Sequence, residues 1–157
     1  MLRFVYFAGL LSLGCREPRP PAAQAEIVAD TRQLMTALVE PAADLYWAAV
    51  GTVIDSTGTH ESVPTTNEEW TELWRAALVV GESGNLLTMP GRSRDQDQWL
   101  KLSRAMTRVA KEAAAAALAR DTAAVFEVGG RLYETCTACH VAYSVGIPRP
   151  GDSAQAK

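Results

Sequence analysis

The chain has 157 residues, enough for one domain preceded by a leader, and sets 15 Lys and Arg against 18 Asp and Glu. That mildly acidic balance, with no basic patch or basic helix, excludes nucleic acid as the expected partner. Hydrophobic residues make up 48% and aromatics 7%, which favours a packed helical domain, and no apolar run is long enough to span a bilayer as a helix.

Residues 1–14 read as an export signal, with Arg3, an apolar run over 4–13 and the small Gly14 just before Cys15. The run Leu11-Ser12-Leu13-Gly14-Cys15 resembles a bacterial lipobox, in which the Cys is lipidated and becomes the new N-terminus; Ser12 stands where Leu is commonest. On this reading Cys15 ties the chain to a membrane. The alternative is an ordinary signal peptide cut later, near Ala22-Ala23. Residues 15–23 carry Pro18, Pro20 and Pro21 and predict an extended, semi-rigid spacer.

A helical pattern begins near Gln24. Ile27, Thr31, Leu34, Met35, Leu38, Ala42, Leu45 and Ala49 recur at three- and four-residue steps and predict one apolar stripe. Pro41 lies inside the pattern and predicts a kink or a division near Glu40, with the helix ending around Ile54. Residues 55–65 read as a loop punctuated by Gly58 and Pro64, and no strand is expected. The loop carries His60, the only His besides His140.

Thr66-Asn67-Glu68-Glu69 fits a capping box and opens a second helix, with Trp70, Leu73, Trp74, Ala77, Leu78 and Gly81 inward. Gly84, Pro90 and Gly91 mark a connection. Ser93-Arg94-Asp95-Gln96 predicts another cap, and a third helix follows with Trp99, Leu102, Met106, Val109 and Ala113 inward. It runs into the alanines of residues 113–117, good helix formers that permit close approach. Asp121 is the expected N-cap of a last helix over residues 123–145, which contains Gly129 and Gly130. The two glycines mark either close approach or a tolerated bend. Pro148 and Pro150 end that helix, and residues 147–157 form a flexible tail.

The last helix holds Cys136-Thr137-Ala138-Cys139-His140. A C-x-x-C-H run is the attachment signature of c-type haem. At 100° per residue the three side chains fall within an arc of roughly 100°, so two sulfurs can bond a haem edge while the imidazole takes an axial place on iron. A thioredoxin-like site needs a βαβ setting, which the helical surroundings do not offer. A structural zinc site wants about four ligands. The chain offers only Cys15, Cys136, Cys139, His60 and His140, and Cys15 has its own expected fate.

Four amphipathic helices over residues 24–146 argue for an all-α, antiparallel four-helix bundle with covalent haem on the last helix. A chain of this kind with one C-x-x-C-H on its final helix resembles the class II c-type cytochromes, cytochrome c prime and its low-spin relatives. Cys-x-x-Cys-His-x-x-Tyr, ending at Tyr143, matches a common pattern of that family; Ser144 stands where a basic residue often follows.

The resemblance implies one haem c held by Cys136, Cys139 and His140, and export to the periplasm or to a membrane facing it. Low-spin members place a first-helix Met on the iron, which points to Met35 and to electron transfer without catalysis. Cytochrome c prime leaves that side open and binds nitric oxide or carbon monoxide, and this is the alternative. In its register a first-helix Arg lies four residues before the distal position, and Arg32 plus four is Thr36. Other ligand candidates are His60, Met89 and Met106. A haem enzyme would draw on His60 and Glu61 as its acid/base group. The expected partners are a transient redox protein with a basic face and, as in many relatives, a second copy in a homodimer.

Overall fold

Asp30 opens the first helix. Its Oδ1 accepts the Gln33 N–H at 2.8 Å while Gln33 Oε1 accepts the Asp30 N–H at 3.0 Å, a reciprocal capping box. The computed structural model describes residues 25–143. The export signal, Cys15 and its spacer, and the expected helix stop and tail lie outside the described residues.

Helix α1 (Thr31–Leu34) passes into a π-helical turn at Met35–Val39 and on into α2 (Glu40–Ala49). The Glu40 N–H bonds Met35 O, five residues back, the step that marks an extra residue inside an α-helix. Pro41 supplies the physical reason. It has no N–H to give, and in α geometry its ring clashes with the carbonyl four residues earlier, which a wider turn relieves. The rod is divided near Glu40, as expected, and the division takes the form of a π turn with one inserted residue.

The inserted residue rotates the buried face. Leu34 is followed into the core by Val39, Ala42, Ala43 and Tyr46, whereas Leu38 and Leu45, expected inward, are 43% and 41% exposed. The helix also ends at Ala49 rather than near Ile54. The expected loop is a hairpin of β1 (Gly51–Asp55) and β2 (Gly58–Ser62), antiparallel, pairing Gly51 with Ser62 and Asp55 with Gly58. Thr52, Val53 and Ile54 are β-branched residues suited to a strand. Asp55 Oδ1 accepts the Thr57 N–H at 2.7 Å, folding the turn, and Gly58 takes φ +136°. All but one of the strand residues are exposed.

Helix α3 (Asn67–Leu87) begins with the expected box. Thr66 Oγ1 accepts the Glu69 N–H at 3.1 Å, and Glu69 Oε2 accepts the N–H groups of Thr66 and Thr65 at 2.9 and 2.6 Å. Those bonds hold the Glu69 carboxyl below its ordinary pKa, the Thr65 N–H contributing most. Gly84, expected to mark a connection, lies inside α3. A Cβ there would sit 2.3 Å from Thr107 Oγ1 and 2.9 Å from Ser103 O, so only glycine admits α4 (Gln98–Ala119) this close.

The cap at Ser93 gives way to one at Asp95. Its Oδ1 accepts the N–H groups of Asp97 and Trp99, each at 2.9 Å, and α4 starts at Gln98. Before α1, Ala29 O accepts Arg92 Nε–H at 3.0 Å and Nη2–H at 2.8 Å. Arg92 is buried, and carbonyls take the place of water around its charge.

Arg120 closes α4 in the left-handed region at φ 55°, and Asp121 Oδ1 accepts the Ala124 N–H at 3.0 Å to open α5 (Thr122–Tyr143). Contacts fix the directions. Arg120 Nη2 meets Asn67 Oδ1 at 2.6 Å, and Trp99 Nε1–H donates to Leu87 O at 2.7 Å, so α3 and α4 run oppositely. Glu112 pairs with Arg131 at 2.5 Å and Asp95 meets Tyr143, so α4 and α5 do likewise. The protein is thus mostly helical, with four helical rods packed side by side and a small hairpin at one end. Among the described residues no helix is long and apolar enough to cross a membrane.

Candidate functional site

Helix α5 is regular through its C-terminal turns, so its side chains keep the α-helical spacing. Two of its glycines have different settings. A Cβ on Gly129 would lie 3.5 Å from Trp47 Cδ1 and 3.6 Å from Tyr46 Cε1, and Gly130 faces open space. Trp47 Nε1–H donates to Gly129 O at 3.0 Å, and its ring meets Tyr133 edge-on with centroids 5.8 Å apart. A Cβ at Gly129 would thus make only ordinary contacts with α2, and packing demands glycine at neither position.

Beside this strap lies a cavity of about 440 Å³, within the range of about 300–1,000 Å³ usual for ligand and cofactor sites. One wall is α5, contributing Tyr133, Thr135, Cys136, Thr137, Cys139 and His140. A second wall is the first helical rod, with Met35, Val39, Ala43 and Trp47 at four-residue steps and Glu40 and Asp44 beside them. Leu87 of α3 and Leu102, Ser103 and Met106 of α4 complete it. The lining is mostly apolar; Glu40 and Asp44 are its carboxylates, and both are exposed to solvent.

Three of the predicted site residues, Cys136, Cys139 and His140, share this cavity with the fourth, Met35. The π turn begins at Met35 itself. Thr36, which an alternative register would place inward, is exposed, and its Oγ1–H returns to Arg32 O at 3.1 Å. Met106 also lines the cavity. Met89 stands apart, its Sδ 3.3 Å from Arg92 Nη1. His60 and Glu61 sit on β2, away from the cavity lining, with His60 Nε2 2.8 Å from Thr57 Oγ1 and 3.4 Å from Asp55 Oδ1. Trp70 and Trp99 are core residues, and neither they nor Trp74 lines the cavity.

Cys136 and Cys139 carry free thiols, half-buried. Burial pushes both above the ordinary cysteine range; Cys139 adds to the shift of Cys136, and the Arg94 charge partly offsets that of Cys139. Among the described residues no group of three or more His, Cys, Asp and Glu stands close enough to hold a metal ion.

The sequence reading missed two features of the site. Trp47 lies on the cavity face only because the inserted residue rotates α2. The second is the fastening of the end of α5. Tyr143 O–H donates to Asp95 Oδ2, and its ring packs edge-on against Trp99 with centroids 4.9 Å apart. The C-x-x-C-H-x-x-Tyr spacing was the signal for Tyr143, but nothing in the sequence named Asp95 as its acceptor. Comparison of the chain with protein-family models, curated proteins and solved structures finds no match in any of the three.

Proposed function

We propose that the protein is an exported electron carrier of the class II c-type cytochrome kind, an antiparallel four-helix bundle with one haem c. The observation that carries this reading is the meeting, in one apolar cavity, of Cys136, Cys139 and His140 from α5 with Met35 from the first rod. The donor set fits the group: Cys136 and Cys139 would bond it through thioethers, His140 and Met35 would ligate its iron, and the apolar lining would receive its ring. Bound there, haem would supply a one-electron iron couple, its potential raised by a thioether ligand.

The chain's own residues would hold that couple with little rearrangement. Val39, Ala43, Leu87 and Leu102 give the cavity apolar walls, and the Trp47 strap ties α2 to α5. Glu40 and Asp44 at the cavity surface would steer a transient redox partner with a basic face. The setting is the periplasm, with Cys15 as lipid anchor.

The alternative is a five-coordinate gas-binding protein. One observation favours it: Met35 is only half-buried.

The test is the optical spectrum of the full chain, expressed with a haem-attachment system, oxidised and reduced, with and without carbon monoxide. Low-spin bands, a far-red methionine-to-iron band and no carbon monoxide shift are expected. Met35→Ala then becomes high-spin and binds carbon monoxide. High-spin wild type moves the reading to gas binding, and a chain without covalent haem overturns both.

A further inference from the structure

His140 lies in the last turns described for α5 (Thr122–Tyr143). Tyr143 follows His140 by three residues, a neighbouring position on the helix surface.

Around Tyr143 the side chains form a lock. Its hydroxyl donates to Asp95 Oδ2. The other oxygen of that carboxylate already accepts the Trp99 and Asp97 N–H groups at 2.9 Å. The Trp99 ring packs against the Tyr143 ring at 4.9 Å, and its Nε1–H is fixed on Leu87 O at 2.7 Å. Trp99 is 1% exposed, so the lock is rooted in the core. One carboxylate thus joins the start of α4 to the end of α5, with α3 bracing the ring between them. The bond also holds the Asp95 carboxyl below its ordinary range, the Tyr143 hydroxyl contributing most.

We infer that Tyr143 is a positioning residue for His140: through Asp95 it holds the turn of α5 at residues 140–143 and thereby sets the imidazole's orientation toward the cavity. This rests on the haem reading above. A hydrogen bond to a charged acceptor is worth enough that its loss opens the turn about tenfold more often.

Two measurements on the full-length protein test it: amide exchange at residues 140–143, and the ferric electron paramagnetic g-values, which report axial-ligand orientation. Tyr143→Phe keeps the ring and removes the hydroxyl. Exchange is expected to quicken about tenfold and the g-values to move, with the thermal midpoint within a few degrees of wild type. Asp95→Asn leaves a single acceptor oxygen, which the Asp97 and Trp99 N–H groups already use, so it is expected to quicken exchange and move the g-values as Tyr143→Phe does. Glu112→Gln breaks the other α4–α5 tie, to Arg131, and is expected to move neither. Unchanged g-values in Tyr143→Phe, or an equal change in Glu112→Gln, overturn the positioning role. Failure of the haem reading is seen separately, as a wild-type chain with no covalently bound haem; the exchange comparison still reports whether the lock exists.

Discussion

The two main walls of the cavity are made in opposite ways. The α5 wall is one regular helix whose cavity residues lie close together in sequence, from Tyr133 to His140. It is fastened along its length by Trp47 at Gly129, Glu112 at Arg131 and Asp95 at Tyr143. The first rod is α-helix, π turn and α-helix again, and its cavity face exists only in the register that the turn creates. Chemistry written into a local motif needs only that its helix stay regular. The ligand role proposed for Met35 would depend on how the whole rod is rotated.

The largest effect separates the walls outright. Cys136→Ala combined with Cys139→Ala leaves no thiol on α5 and is expected to abolish covalent attachment, seen as loss of haem stain and of the corresponding mass after denaturation. Met35→Ala, by contrast, is expected to leave attachment complete and alter only the spin state.

Next in size is the register of the first rod. Two apolar stripes overlap there: Leu34, Leu38, Ala42 and Leu45 suit an uninterrupted α-helix, while Val39, Ala43 and Tyr46 suit the rod with its π turn. Pro41 weighs against the first, since an α-helical interior proline costs about 3 kcal/mol or more. Pro41→Ala lifts that bias and is expected to lower the low-spin fraction in the optical spectrum while the protein stays folded. An undiminished methionine-to-iron band would show that Tyr46 and Trp47 alone hold the register.

This contrast also explains what could be read from the sequence. The helices at Thr66 and Asp121 were legible because a capping residue and a long apolar period coincide there. So was the α5 cluster, since i, i+3 and i+4 residues share a helix face whatever the rest of the fold does. The rotation at Met35–Val39 was not, because Leu38 and Leu45 make a sound stripe on their own and the choice rests on Tyr46 reaching Ala113 O at 3.4 Å and Trp47 reaching Gly129 O, far away in sequence. The hairpin escaped because its strands are short, exposed and rich in polar residues, so they lack the alternation that marks a half-buried strand. Met35 was placed inward by the apolar stripe of a helix expected to kink or divide at Pro41, and in the structure it lines the cavity at the start of the π turn.

The strap between the walls gives a smaller effect. Trp47→Phe keeps most of the apolar area and removes the 3.0 Å bond to Gly129 O, a loss of about 1 kcal/mol. A thermal midpoint lower by a few degrees is the expected result. Because the strap joins the walls rather than building either, the spectrum should change less than in Pro41→Ala.

The smallest effect sharpens the comparison through one tyrosine on each wall. Tyr46 and Tyr143 are each pushed up to about 12 from an ordinary 10.0. Burial alone raises Tyr46. Desolvation raises Tyr143 first, then its bond to Asp95 and the charge there. A raised folded-state pKa leaves the contribution intact below about pH 10 and removes it as pH climbs through about 12, because only the unfolded chain ionises at first. Melting temperature is therefore expected to fall over that alkaline window, less steeply in Tyr46→Phe and in Tyr143→Phe. At low pH the two part company. The depressed Asp95 carboxyl stabilises the fold above the ordinary carboxylate pKa and loses that contribution as pH falls through its own lower value. The gap between wild type and Tyr143→Phe should close on acidification, while the gap to Tyr46→Phe stays open. Melts of the three proteins across both windows would tell a wall held by a charged bond from one held by burial.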